Sequence, residues 1–300
     1  MTSAAFDVLG IGNAIVDVIT HADDSFLTKH ALVKGSMTLI DEARAETLYG
    51  AMGPGVEISG GSCGNTIAGV ASFGGKGAYV GKVRNDQLGA VFGHDLRATG
   101  VTFDTAQATE GPSTARCLIV VTPDAQRTMN TYLGACTRLG PSDIDVAQVA
   151  AAQVTYVEGY LWDPPEAKKA VLKAFDAAHA AGRKVSITLS DSFCVDRYRD
   201  EFRALIRDKV DILFANESEI KSLYQVDSFE AALAAARAEN KICALTRSEK
   251  GSVVIKGGEI HAVPATPVAR VVDTTGAGDL YAAGLLFGFT HGEPLAECAR

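Results

Sequence analysis

From residue 154 to residue 263 the chain alternates short apolar runs with longer helical patterns, and few folds accept that order. Apolar, β-branched runs lie at 154–157, 184–189, 211–214 and 242–246. Helical patterns lie between them at 165–180, 196–207, 217–224 and 229–240, the first rich in alanine and stopped by Gly182. Strands separated by helices need crossover connections, so neighbouring strands run parallel and helices cover the sheet. The expected class is α/β: a doubly wound, mostly parallel sheet with helices on both faces. Runs at 252–255 and 259–263 flank Lys256-Gly257-Gly258 and read as a hairpin. Ligands of such sheets bind beyond the carboxyl ends of the strands.

The first half of the chain is less regular. Residues 6–19 read as strand, a break at Gly10–Gly12, and more strand. Residues 41–52 read as a helix with Asp41 at its cap, stopped by Gly53-Pro54-Gly55. A second helix starts near Ser62 or Asn65, and a third spans 86–96. Strands are expected at 78–82 and 101–103, with β-like pieces at 113–121 and 127–133 around a Pro123-Asp124 turn. These pieces predict one domain over 1–300, with a small β-rich lid drawn from parts of 10–40 and 100–135.

A 300-residue chain that is 47% hydrophobic and 21% charged can bury one large core. Its net charge of −8 argues against broad binding to nucleic acid or to anionic membranes. A small anion is still admissible, because a backbone nest attracts phosphate within an acidic protein. The six cysteines are scattered, with no C-x-x-C pair and no zinc spacing. The first residues carry no basic stretch and no long apolar run, so no membrane span is expected and the cytoplasm is the default location.

The richest stretch is V-V-D-T-T-G-A-G-D-L-Y-A-A-G, residues 271–284. Val271 and Val272 read as a strand end, Asp273, Thr274 and Thr275 as turn and cap types, and a helix follows Gly276, Ala277 and Gly278. A helix N-terminus attracts anions, and small residues let an anion approach its backbone. Asp279 in the first turn has two readings. It is a dipole-stabilising acid, or it is a general base working beside a phosphate. Other polar groups follow strand ends: Asn216, Glu217 and Glu219 after 211–214, and Thr246, Arg247, Ser248 and Gly251 after 242–246. Three such ends together suggest a phosphate-rich ligand. Gly60 and Gly61 precede the helix near Ser62 and can bring a polar ligand to the backbone. Asn13 and Asp17 are polar in an apolar segment; by position alone they are a turn residue and a surface acid as readily as ligands. Arg127 is likewise an ordinary exposed cation until something places it.

These residues resemble the pfkB family, the ribokinase-like carbohydrate and nucleoside kinases. The D-T-T-G-A-G-D run (Asp273–Asp279) is similar to the family's second signature. Gly60-Gly61-Ser62 with Asn65, and the later segment from Gly81 to Asp86, resemble the first. Asn216-Glu217-Ser218-Glu219 resembles its N-x-x-E element. Within the family, G-I-G-N-A-I-V-D (Gly10–Asp17), the serine at Ser62 where ribokinases carry lysine, and Arg127 with Tyr132-Leu133-Gly134-Ala135 resemble the adenosine kinase branch.

The resemblance implies a ribokinase-like fold and phosphorylation of the adenosine 5′-hydroxyl by ATP, with a sugar kinase as the alternative and a non-catalytic purine-binding regulator as the third reading. It implies ATP and Mg²⁺ as cofactors, K⁺ as an optional ion, and a monomer or homodimer. Asp279 would be the base, and the N–H groups of Ala277, Gly278 and Asp279, with Gly276 giving the turn, would build the anion hole, with Thr275 and Gly278 beside the nucleotide. Arg127 would reach the transferred phosphate. Asp17 would accept from the ribose hydroxyls, with Asn13, Gly60, Gly61, Ser62 and Asn65 around the acceptor and Leu133 and Ala135 beside the purine. Asn216, Thr246, Ser248 and Gly251 would line the ATP site. Asn216 and Glu219 would hold Mg²⁺ through water. Two departures stand out. Arg247-Ser248 replaces a glycine found in many relatives, and the chain stops inside an expected helix, 294–300, where relatives continue, so that helix is expected to be incomplete.

Overall fold

The computed structural model describes residues 4–269 and 274–300. Its main sheet has nine strands in the order Glu259–Val263, Ser252–Lys256, Ile242–Thr246, Ile212–Asn216, Lys184–Thr188, Ala152–Glu158, Phe6–Ile11, Gly77–Val80 and Thr102–Phe103. All neighbours pair in parallel except the hairpin at one edge, where Ile242–Thr246, Ser252–Lys256 and Glu259–Val263 are antiparallel. The central strands are buried along most of their length, as parallel strands covered on both faces must be. One cluster under the sheet joins Val171, Phe175, Phe202 and Leu223, and the other joins Ile67, Phe92, Leu285 and Leu286. The order places Phe6–Ile11 beside Ala152–Glu158, so the first strand threads between halves far apart in sequence.

Helix starts follow local chemistry. Asp41, Asp86 and Ser228 accept from backbone N–H groups three residues on, each closing the first turn. Pro165 opens its helix at a position where no N–H is needed. Asp191 likewise accepts from Cys194 N, so the helix expected at 196–207 begins earlier, at Ser192, and bends at Tyr198.

A second sheet of five strands stands apart, in the order Met37–Leu39, Arg127–Tyr132, Ala115–Val121, Ile15–His21 and Val56–Gly60. Met37–Leu39 and Val56–Gly60 are strands that the sequence patterns did not show, and Val56–Gly60 lies outside the segments expected to build the lid. The register aligns Asp17 with Ile58 and Cys117, Cys117 with Thr131, and Thr131 with Leu39, so these side chains share one face. The opposite face packs Val16, Leu118 and Tyr132 against Leu48.

Near the end, Leu295–Cys298 forms a single helical turn in place of the longer helix expected from 294. The expected strand end at Val271 and Val272, and Asp273 after it, lie outside the described residues. The six cysteines are free and buried. Among the described residues no helix is long and apolar enough to cross a membrane.

Candidate active site

Two helix N-termini meet at one carboxylate. Gly276 precedes the helix Ala277–Thr290 with φ +71°, a left-handed angle that suits glycine. A Cβ there would find its nearest neighbour at 3.6 Å, so the backbone angle rather than space calls for glycine. Asp279 sits in the first turn. Ser62 Oγ donates to its Oδ1 at 2.7 Å, and Asn65 Nδ2 donates to its Oδ2 at 3.0 Å. Both donors belong to the first turn of the helix Ser62–Ser72. The two helices pack closely at Gly69, where a Cβ would stand 2.7 Å from the Ala283 Cβ. Burial pushes the Asp279 carboxyl above its ordinary range, and the two donors pull it back. The result is an oriented carboxylate able to take a proton.

The backbone around Asp279 supplies anion donors, though fewer than expected. Ala277 N donates to Thr274 O at 3.1 Å and is spent in the turn. Gly278 and Asp279, at first-turn positions, have no backbone partner for their N–H groups among the described residues. Thr275 lies exposed in the turn before them.

Asp17 comes to this site from the second sheet. Its carboxyl group rests on Gly60, where a Cβ would lie 2.6–2.7 Å from the carboxyl atoms. Burial raises the Asp17 pKa to about 6, the Arg127 guanidinium lowers it, and the Asp279 charge raises it. The Arg127 charge therefore reaches Asp17 across the same sheet. Gly61 has φ +83°, and a Cβ there would stand 2.3 Å from Asn13 O. Leu133 lines a cleft of about 280 Å³ with Leu39, Ile40, Thr131 and Tyr132, while Ala135 is fully buried beneath.

A further cleft of about 450 Å³ opens at the carboxyl ends of Ile212–Asn216 and Ile242–Thr246. Asn216, Thr246, Arg247 and Ser248 line it, with Lys221 and Lys250. Ser248 stands at φ +52°, a left-handed angle that strains a residue with a side chain. Gly251 shapes the same turn from behind, because a Cβ there would meet Val263 O at 2.0 Å. Arg247 is held by Glu217 at 2.9 Å and stacks on Phe229, so its charge is partly committed.

Glu219 and Asn216 form a reciprocal cap. Asn216 N and Nδ2 donate to the Glu219 carboxylate at 2.9 and 2.6 Å, and Glu219 N donates to Asn216 Oδ1. Burial raises the Glu219 pKa to about 7. Among the described residues no cluster of three metal-ligating side chains exists. One buried carboxylate with spare lone pairs fits a cation that keeps most of its water, as Mg²⁺ does, and does not fit a protein-caged metal.

Comparison with known proteins identifies the assembly. The family model for pfkB carbohydrate kinases matches residues 37–300. The chain belongs to the pfkB family of carbohydrate kinases. A solved structure of an adenosine kinase from Sinorhizobium meliloti is 57% identical, covers 99% of this chain and 91% of its own, and superposes with TM-score 0.91. A probable sugar kinase from Rhizobium etli is 56% identical, covers 99% of this chain and 90% of its own, with TM-score 0.91. Adenosine kinase 1 of Arabidopsis thaliana is 26% identical over 332 residues, spanning 100% of this chain and 93% of its own.

In this pfkB kinase, Ser62 and Asn65, expected around the acceptor, hydrogen-bond the Asp279 carboxylate. Glu158 was missed. It ends the strand Ala152–Glu158, is 1% exposed, and accepts from Asn13 and from Cys63 N. The available signal was an acid closing a largely apolar strand beside a strand that runs into Gly12-Asn13.

Proposed function

We propose that this pfkB kinase transfers the terminal phosphoryl group of ATP to the 5′-hydroxyl of adenosine, giving AMP. The observation that carries the reading is the 57% identity, over nearly the whole of both chains, to an adenosine kinase. The geometry supports it. Asp279 takes the proton of the attacking hydroxyl, oriented by Ser62 and Asn65. The N–H groups of Gly278 and Asp279 face the charge that develops, and Gly276 sets their turn. Asp17 accepts from both ribose hydroxyls at once, a match for a carboxylate. Arg127 keeps Asp17 ionised and reaches toward the transferred group. Asn13 lies beside the acceptor, and the cleft beside Leu133 takes the purine. Asn216, Thr246 and Ser248 hold ATP. Mg²⁺, held through water by Asn216 and Glu219, supplies charge neutralisation on the phosphates.

A sugar acceptor is the second reading, favoured by the Rhizobium chain at 56% identity that is named a probable sugar kinase. The cleft lined by Leu39, Ile40, Pro112 and Leu133 argues against it, because a small sugar has nothing apolar to place there. The test is a competition. With Mg-ATP and equal adenosine, ribose and fructose, AMP should be the dominant product. Dominant sugar phosphate sinks the adenosine reading, and purine binding without any product points to a regulator.

A further inference from the structure

Glu158 is buried to 1% exposure at the strand ends that flank the site, yet it faces only donors. Asn13 N and Asn13 Nδ2 donate to its Oε1 at 2.8 and 2.6 Å, and Cys63 N donates to its Oε2 at 3.0 Å. The packing leaves no slack. A Cβ on Gly12 would lie 2.4 Å from the Cys63 Cβ and 2.8 Å from Glu158 Oε2, and one on Gly61 would meet Asn13 O. The Asn13 turn is therefore clamped to the first turn of the helix Ser62–Ser72, the same turn that orients Asp279.

A side-chain amide has a donor edge and an acceptor edge. With Nδ2 committed to Glu158, the acceptor edge of Asn13 remains. Its Oδ1 accepts no hydrogen bond among the described residues. We infer that Glu158 is a positioning residue: it fixes the Asn13 amide with Oδ1 toward the acceptor molecule, so that Asn13 selects a hydroxyl or amino donor at that point. The inference rests on the reading above that Asn13 lies beside the acceptor.

The groups around Glu158 bear on its charge. Asp279 raises its pKa, the Cys63 and Cys136 thiols and the Tyr79 and Tyr156 hydroxyls surround it, and burial carries it to about 7. Protonation puts an O–H among three N–H donors, so one contact is lost and the amide is freed to turn.

Glu158→Gln keeps the shape and places an NH₂ among the same donors. The KM for adenosine should rise about tenfold, the loss expected for one buried hydrogen bond, while the KM for ATP stays within about twofold. Asn13→Ala should raise the adenosine KM too, and adding Glu158→Gln to it should cost nothing more. Equal changes in both KM values, or additive effects in the double variant, overturn the proposal. A structural readout needs no turnover. The Asn13 side-chain amide should exchange its hydrogens slowly in the wild type and about tenfold faster in Glu158→Gln, and equal exchange in the two overturns the clamp. Should wild type fail to phosphorylate adenosine, the functional reading falls, and the exchange still decides the clamp.

Discussion

Asp279 has both oxygens hydrogen-bonded while remaining half-buried, and its chemistry follows from that tension. Asp279→Asn removes the proton acceptor and sets an amide N–H against Ser62 or Asn65. Turnover should fall by about a hundred- to ten-thousand-fold with modest change in adenosine binding, and retained turnover would remove its role as base. Ser62 stabilises the ionised form. Ser62→Ala should therefore raise the Asp279 pKa and move the acid limb of the kcat–pH profile upward; an unmoved or lowered limb contradicts the contact. Ser248 carries strain of another kind. Ser248→Gly relieves the left-handed angle but adds freedom to the unfolded chain, for a net gain of about 0.5 kcal/mol in urea unfolding. Residues that sit in regular patterns or glycine turns, such as Asp279 and Gly276, were legible in the sequence. The partners of Asp279 were not, because Ser62 lies 217 positions away and no local pattern connects the two.

The helices Ser62–Ser72 and Ala277–Thr290 act as a pair. Their contact at Gly69 sets the distance between the base and the groups that orient it. Gly69→Val would drive branched carbons into Ala283 and Leu280 and part the helix starts. The expected outcome is a loss of kcat well beyond the loss of stability, with ATP binding retained; an unfolding midpoint that collapses with kcat unchanged would show that the contact only supports the core. The strands Met37–Leu39 and Val56–Gly60 show the opposite limit of sequence reading. Met37, Leu39 and Val56 are exposed, so their alternation carries no burial signal, and pairing partners alone make them strands. The helix from Ser192 was misread at its start because its cap, Asp191, follows a serine at φ +70° rather than a glycine.

Across the molecule, acids pushed up by burial gather around the site from both sheets. Asp17, Glu158 and Glu219 have folded pKa values of about 6, about 7 and about 7, all raised first by burial. A carboxyl group with a raised folded pKa contributes its full stability below the unfolded value and loses it as pH climbs through the folded value. Stability of the unliganded chain should therefore decline from about pH 5 to about pH 8, read as a falling urea midpoint, and a rising midpoint would refute the buried row. Activity should climb over the same interval, since Asp17 and Asp279 work ionised. The sequence by itself determined the parallel sheet, most helix spans, the glycine turns and the presence of an acid at a helix start, because each of these is written in contacts between near neighbours. Only the tertiary structure decided that Ser62 and Asn65 serve Asp279, that Asp17 arrives from a second sheet, and that Glu158 holds Asn13. Those facts depend on which distant segments pack together, and burial then sets the charge of the groups they bring in. The stretch around Asp279 reads as a possible base in isolation, and the two helix starts packed at Gly69 are what aim it.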